Sequence, residues 1–390
     1  MISVSDARSA LLQLTQQMEV ERVPLAQAAG RVLAQEVSAR RDQPPFSASA
    51  MDGYAVKAAE VELHAMFQVI GEAAAGHRFV GKLQAGQAVR IFTGAPVPQG
   101  ADFVVIQEDV GRKKDLITIL NQPGPSTNIR PLGGDFRQGQ ALSAPRVLRP
   151  ADVALLASMN IPEVPVRRRP TVALISTGDE LVMPGDMPGP DQIIASNTFG
   201  LKAMLDDCGA DTRIRPIAKD QISSLRMAFS LATTADLVVT IGGASVGDHD
   251  LVAQVAADLG MERSFYKVAM RPGKPLMAGR LGGIPMVGLP GNPVSAMVCG
   301  HIFLLPMIRN MLGLKTDPKQ IATARLTHAL AANGPREHYM RAEVTEDQIT
   351  VFENQDSSLL TVLSSANALL VRPPNDLARQ AGETLGYLPI

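Results

Sequence analysis

Apolar residues recur at Ala7, Leu11, Leu14 and Met18, a helical spacing that predicts an N-terminal helix over 5–18 with Ser5 as its N-cap. Between Phe67 and Asn121 the period shortens. FQVIGEA, AVRIFTG, DFVVIQED and LITIL read as short strands, separated by turn-rich stretches such as GAPVPQGAD, and together they predict a small β-rich domain. A second helix is expected over 150–159, with Leu155 and Leu156 inward. The triplet Arg167, Arg168, Arg169 before Pro170 marks a boundary and reads as a solvated junction.

Beyond Pro170 strand, loop and helix alternate. TVALIST (171–177), TRIRPI (212–217), DLVVTIGG and MVGLPG (286–291) are separated by the helical patterns TFGLKAMLDDCG and DLVAQVAADLG, the signature of a parallel sheet. After Lys315 alternating strands return in ATARLTHAL, HYMRAEVT, QITVFEN and ALLVRP. The expected fold class is therefore α/β and multidomain. It has a central α/β domain with a mainly parallel sheet, an inserted β-rich domain, an N-terminal helical segment and a C-terminal β-barrel-like domain.

Composition agrees with several domains, since 390 residues that are 46% hydrophobic and 19% charged can bury a large core. Lys+Arg 37 against Asp+Glu 38 leaves a net charge of -1, so no global field draws the chain to nucleic acid or to an anionic membrane. Any anion site must be local. The N-terminus lacks a basic stretch before an unbroken apolar core, and no apolar run approaches the roughly 20 residues needed to span a bilayer, so a cytoplasmic protein is expected. Cys208 and Cys299 lie far apart with no CxxC or His partner at ligand spacing, which excludes a zinc knuckle and leaves both as core packing.

In a parallel sheet ligands bind beyond the carboxyl ends of the strands, and there the polar residues gather. DLVVTIGGASVGDHD ends its apolar run in Gly242, Gly243 and Gly247, which admit a ligand to the backbone, and then offers Ser245 to an anion and Asp248 and Asp250 to a divalent cation. STGDEL repeats the arrangement with Ser176, Thr177, Gly178, Asp179 and Glu180. A third strand leads to Lys219 and Asp220. LPGNPVS places Pro290, Gly291, Asn292, Pro293 and Ser295 ahead of a helix expected at Ala296, suited to an oxyanion. Lys267, Arg271 and Lys274 in YKVAMRPGKP supply a cationic wall opposite the carboxylates. Taken singly, each is a tight turn, a helix N-cap or a surface turn; their joint placement predicts one shared site for a phosphorylated ligand carrying Mg²⁺. Asp248 serves equally as a helix N-cap, and His249 reads as an exposed turn residue.

Six motifs in order, SAMDGYA (49–55), IFTGAPVPQGAD (91–102), STGDEL, GGASVGDHD, RPGKP and LPGNPVSA, resemble those of the molybdopterin molybdenumtransferase family, related to the E domain of gephyrin. The likeness runs from near the N-terminus to about Leu314 and recurs more loosely beyond it. It implies insertion of molybdenum: adenylylated molybdopterin, Mg²⁺ and molybdate are consumed, AMP is released, and the metal stays on the dithiolene. Soft sulfur ligands come from the pterin, so two cysteines are no obstacle.

The resemblance also implies roles. Glu180, Asp220 and Asp250 bind Mg²⁺ and activate the adenylate linkage, and Asp52 approaches from another domain or the partner subunit. Lys267 joins the catalytic set with Lys274. Arg271, Lys274 and Ser295 hold molybdate, with Ser245 nearby and Arg341 reaching in from the C-terminal domain. Thr93, Arg130 and Asp135 match family positions at the edge of the β-rich domain. Some family members have lysine where this chain has Arg271, which keeps the charge and the oxyanion role but removes a proton donor. An elongated homodimer is implied, with domains 1–43 plus 141–168, 44–140 (inserted), 169–315 and 316–390, and transient contact with other cofactor-synthesis enzymes or acceptor molybdoenzymes. Two rival readings stand beside this one. A molybdopterin adenylyltransferase would leave roughly half the chain unexplained. A non-catalytic gephyrin-like scaffold would have no need for the full set of acids.

Overall fold

The structure is a computed structural model that describes residues 1–243, 251–316 and 321–390. The chain folds as two compact units, one formed by Met1–Glu21 with Arg167–Ile390 and the other by Arg22–Val166.

The first unit opens with helix α1, Val4–Leu14. Ser3, not Ser5, caps it, its Oγ accepting from the Asp6 N–H at 3.0 Å. The helix also stops earlier than the apolar spacing predicts, because Thr15 is extended (φ -97°, ψ 149°). Met18 is buried all the same, from an extended segment whose N–H donates to the Met311 carbonyl at 2.8 Å.

In the second unit, β1 (Gly53–Val56), β2 (Met66–Ala73), β3 (Gln87–Ile91), β4 (Phe103–Ile106), β5 (Val110–Lys113) and β6 (Leu116–Ile119) form one sheet in the order β4-β1-β3-β2-β6-β5. Alternation along β1 sends Tyr54 and Val56 into one buried cluster and Ala55 into another. Helix α2, Pro150–Ser158, puts Leu156 into a third cluster with Leu33, Phe136, Leu148 and Val166, while Leu155 is only partly buried.

The α/β part of the first unit contains β7 (Thr171–Ser176), α3 (Asn197–Asp207), β8 (Asp211–Ile214), α4 (Ile222–Ser230), β9 (Leu237–Ile241), α5 (Leu251–Asp258), β10 (Glu262–Tyr266), β11 (Met277–Leu281) and β12 (Ile284–Leu289). The sheet order is β8-β7-β9-β12-β11-β10. The first four strands are parallel and the last two antiparallel, an edge that the sequence pattern did not announce. Strand β9 is buried along its whole length, as a central parallel strand requires. The strand expected over 212–217 ends at Ile214, before Pro216.

Helix α6, Pro293–Cys299, starts earlier than expected, with Asn292 at the N-cap and Pro293 in the first turn. It runs through a π-helical turn, Gly300–Leu304, into α7, Leu305–Met311. Pro293–Met311 is thus a 19-residue helical run of mean hydropathy 1.3, which corrects the expectation that no apolar run approaches membrane-spanning length. It is a core helix, 67% buried.

The C-terminal part forms a closed five-stranded barrel from β13 (Ala322–Leu326), β14 (Glu337–Thr345), β15 (Gln348–Val351), β16 (Ala368–Arg372) and β17 (Thr384–Pro389), with helix α8, Leu360–Ser365, before β16. Closure follows from β14 pairing with both β15 and β16. Met270–Arg271 adds to β14 in parallel, Arg271 opposite His338.

Nor is the arginine triplet a solvated junction. Arg168 pairs with Glu19 and donates to both oxygens of Asp236, each at 2.8 Å, while Arg167 donates to the Met18 carbonyl at 2.7 Å.

Candidate functional site

Three parallel strands end side by side in the first unit, and the hydrogen bonds run on past their ends. Thr177 N–H donates to the Ile241 carbonyl (3.0 Å), Gly178 N–H to the Ala218 carbonyl (3.1 Å) and Gly242 N–H to the Leu289 carbonyl (3.1 Å). A cavity of about 640 Å³ opens there. Eleven of the residues singled out in the sequence line it: Ser176, Thr177, Gly178, Glu180, Asp220, Gly242, Gly243, Pro290, Gly291, Asn292 and Pro293. A cavity of this size suits a cofactor-sized ligand.

Glycine is required at the β9 turn. Gly242 (φ +92°) brings its Cα so near β7 that a β-carbon would stand 2.6 Å from the Thr177 carbonyl oxygen; at Gly243 (φ +65°) it would stand 2.2 Å from Val252 Cγ2. The Thr177 hydroxyl beneath is buried and has no hydrogen-bond partner among the described residues. Ser245, Gly247, Asp248, His249 and Asp250 lie outside the described residues.

The acids gather on one side. Asp179 accepts from the Asp220 N–H at 3.2 Å. Desolvation, together with the Asp179 and Glu180 carboxylates, pushes the Asp220 carboxyl above its ordinary value. Glu180 folds back over Gly178, where a β-carbon would stand 2.3 Å from Glu180 Oε2. Among the described residues no group of three or more His, Cys, Asp and Glu has the arrangement to hold a metal ion.

The cations are placed differently from the wall expected. None of Lys267, Arg271 and Lys274 lines the cavity. Lys267 (φ +70°) extends its Nζ over the Tyr266 ring, 5.1 Å from the centroid. Arg271 is exposed beside β14; Lys274 is half-buried and precedes Pro275, which does line the cavity. Ser295 is buried on α6, off the lining. Arg341 is 1% exposed and donates to Gln355 Oε1 (3.2 Å) and to the Asp356 (2.9 Å) and Asn354 (3.3 Å) carbonyls. It holds the loop before Ser358 and does not reach into the cavity.

Several lining residues escaped the sequence reading. Ile193, Ile194, Ser196 and Asn197 come from the approach to α3, and Asn197 Nδ2 donates to the Gly291 carbonyl at 2.7 Å. Ser358 arrives from the barrel part, where Asn292 Nδ2 donates to Ser357 Oγ at 2.9 Å. The polar start of the α3 pattern was the only local signal; nothing adjacent in sequence marks Ser358.

The second unit holds the remaining positions. Asp52 Oδ1 accepts from both the N–H and the Oγ1 of Thr93, each at 2.8 Å, and these bonds hold its carboxyl below the ordinary range. Arg130 lies on the short strand Ile129–Arg130 paired with Ala48–Ser49, and Asp135 donates its N–H to the Gln43 carbonyl at 2.9 Å. Both side chains are exposed.

Comparison with known proteins follows the same segments. Residues 2–160 match the family described as "MoeA N-terminal region (domain I and II)", residues 173–310 the "Probable molybdopterin binding domain" and residues 323–390 the "MoeA C-terminal region (domain IV)". The molybdopterin molybdenumtransferase of Nostoc sp. is 36% identical over 394 residues, covering 97% of this chain and 90% of its own. That of Haemophilus influenzae is 35% identical over 399 residues, 100% of this chain and 98% of its own. The crystal structure of the molybdopterin biosynthesis protein moeA from Pyrococcus horikoshii OT3 matches all of both chains at a TM-score of 0.85 and 25% identity. With likeness of this degree over nearly its whole length, and a cavity built mainly from the matched molybdopterin-binding segment, the chain belongs to the molybdopterin molybdenumtransferase family.

Proposed function

We propose that this protein is the molybdenum insertase of molybdenum cofactor synthesis, a transferase acting on molybdopterin and molybdate. In finer detail it takes the adenylylated form of the pterin, cleaves the phosphoanhydride to release AMP, and leaves molybdenum on the dithiolene sulfurs. One observation carries the reading. Glu180 and Asp220 stand on the wall of the same cavity as Gly291, Asn292 and Pro293, at the ends of three parallel strands. Acids and a polar helix entrance on one cavity suit a ligand that is itself anionic and bound with a cation.

The acids suit Mg²⁺ in their chemistry, with Asp250, outside the described residues, needed as the third ligand. Carboxylate oxygens are hard ligands, and a divalent cation would offset both the desolvation and the Asp179 and Glu180 charges that raise the Asp220 carboxyl. Glu180, Asp220 and Asp250 would hold the ion, which when bound neutralises phosphate charge. Thr177, Asn197, Asn292 and Ser358 orient the ligand by hydrogen bonding, and Gly242 and Gly243 allow it close to the backbone. Lys267, Lys274 and Arg271 act from the margin of the site as surrounding positive charge, and Arg341 acts through the loop before Ser358. Asp52, fixed by Thr93, belongs to the same catalytic set, with Arg130 and Asp135 as ligand contacts.

The reading extends to a cytoplasmic homodimer with domains 1–43 plus 141–168, 44–140, 169–315 and 316–390; the matched segments 173–310 and 323–390 lie close to the last two, whereas the compact unit Arg22–Val166 spans most of the first two together.

The test is AMP release from adenylylated molybdopterin, Mg²⁺ and molybdate by the full chain. Asp250→Asn is expected to slow it by at least about tenfold, or about 1.4 kcal/mol. An unchanged rate removes Asp250 from the mechanism. Binding without turnover by the unmutated protein would overturn the enzyme reading in favour of a scaffold.

A further inference from the structure

Beside Asp52 in the second unit stands a charged side chain to which none of the motifs assigns a part. The Arg90 guanidinium, at the end of β3, lies between two aromatic rings, 5.0 Å from the Tyr54 centroid and 4.7 Å from the Phe92 centroid. Its Nη1 donates to the Gly53 carbonyl at 3.1 Å and its Nη2 to Gln107 Oε1 at 2.6 Å. Both partners adjoin Asp52: Gly53 follows it in the chain, and the Gln107 N–H donates to the Asp52 carbonyl at 3.0 Å. On the far side, Thr93 binds Asp52 Oδ1 twice.

Cation–π contact with the two rings holds the guanidinium in place, and its two hydrogen bonds tie together the segments that flank Asp52. The backbone is also tightly packed at the residue after Asp52, since a β-carbon on Gly53 would stand 2.0 Å from the Val105 carbonyl oxygen. Asp52 Oδ2 accepts no hydrogen bond among the described residues. The Arg90 charge also adds to the Thr93 bonds in keeping the carboxyl ionised. We infer that Arg90 is a positioning residue for Asp52: clamped between Tyr54 and Phe92, it joins the Gly53 carbonyl to Gln107 and thereby aims Asp52 Oδ2 outward for the reacting ligand. This rests on the place of Asp52 in the proposed reaction.

Arg90→Met, Arg90→Lys, Asp52→Asn and the double variant Arg90→Met/Asp52→Asn are compared in AMP release by the full chain, with thermal melts as a check on folding. Arg90→Met is expected to lower kcat by about tenfold with KM within about twofold, while Arg90→Lys, which keeps the charge but not the fork, retains part of the rate. Adding Arg90→Met to Asp52→Asn should cost nothing more. A full additional loss in the double variant would show that Arg90 acts apart from Asp52 and overturn the inference. Full activity in Asp52→Asn would remove Asp52 from the reaction and the positioning role with it. A readout independent of turnover is the ¹³C titration of the Asp52 carboxyl. Its midpoint should rise in Arg90→Met, and an unmoved midpoint would overturn the inference even if the unmutated protein released no AMP, a result that would separately sink the proposed function.

Discussion

Gly273 and Cys299 pack so closely that a β-carbon on the glycine would stand 2.6 Å from Cys299 Sγ. The contact seats the RPGKP turn on helix α6, so the conformation of the cationic segment depends on a small residue at 273 and a small, buried one at 299. Gly273 also has φ +108°, in the region that favours glycine. Gly273→Ala is therefore expected to destabilise the protein by about 1–3 kcal/mol through overpacking and backbone strain. Urea denaturation checks it: in a Cys299→Ala background the added cost of Gly273→Ala should shrink, because only the backbone strain and the looser approach to the Met270 side chain, at 3.2 Å, remain. Equal costs in both backgrounds would show that the sulfur contact is not responsible.

The buried Thr177 hydroxyl, unpartnered among the described residues, separates folding from binding. Thr177→Val keeps the shape and removes the hydroxyl, so stability should be unchanged or slightly higher, within about 1 kcal/mol. Ligand affinity should fall, by about threefold to tenfold if one hydrogen bond is lost. Calorimetric titration with the pterin substrate together with a thermal melt reads both. A large drop in melting temperature with unchanged affinity would place the hydroxyl in the fold.

His338 makes stability depend on pH. Burial, and the charges of Arg271, Arg341, Arg372 and Arg336, bring its pKa down from 6.5 to about 4. The native state keeps the imidazole neutral while the unfolded chain takes up a proton below about pH 6.5, so unfolding binds protons in that window. The stability due to neutral His338 is fully present above pH 6.5 and is lost as the pH falls toward 4, at no more than about 1.4 kcal/mol per pH unit. Denaturation midpoints measured from pH 7 to pH 4 should fall less steeply in His338→Gln. Identical slopes would show that other groups set the acid limb.

Sequence pattern alone located the strands that build the site. Leu237–Ile241 and Thr171–Ser176 are continuous apolar runs stopped by glycine, and such runs have little choice but to be buried on both faces. The antiparallel strands Glu262–Tyr266 and Met277–Leu281 were not legible, since charges and glycine break their pattern. Gly279 is in the strand because a β-carbon there would stand 2.3 Å from the Glu262 carbonyl oxygen across the ladder, a constraint visible only once the strands are paired. Arg341 is a different case. A charged residue in an alternating strand reads as available to a ligand, yet its donors are used by Gln355 and by two carbonyls more than ten residues along the chain.

By itself the sequence determined which side chains stand at the strand ends, because apolar runs and the glycines that stop them are local properties of the chain. It determined equally that acids, hydroxyls and glycines collect there. Only the tertiary structure decided which of them share a cavity. Glu180, Asp220 and Asn292 do, while Ser295 turns into the core and Arg271 lies against β14. It also brought in Ser358, and it set Arg90 between two rings beside Asp52. The physical reason is that the direction of a side chain at a turn is fixed by packing and hydrogen bonds from distant segments, and no local spacing carries that information.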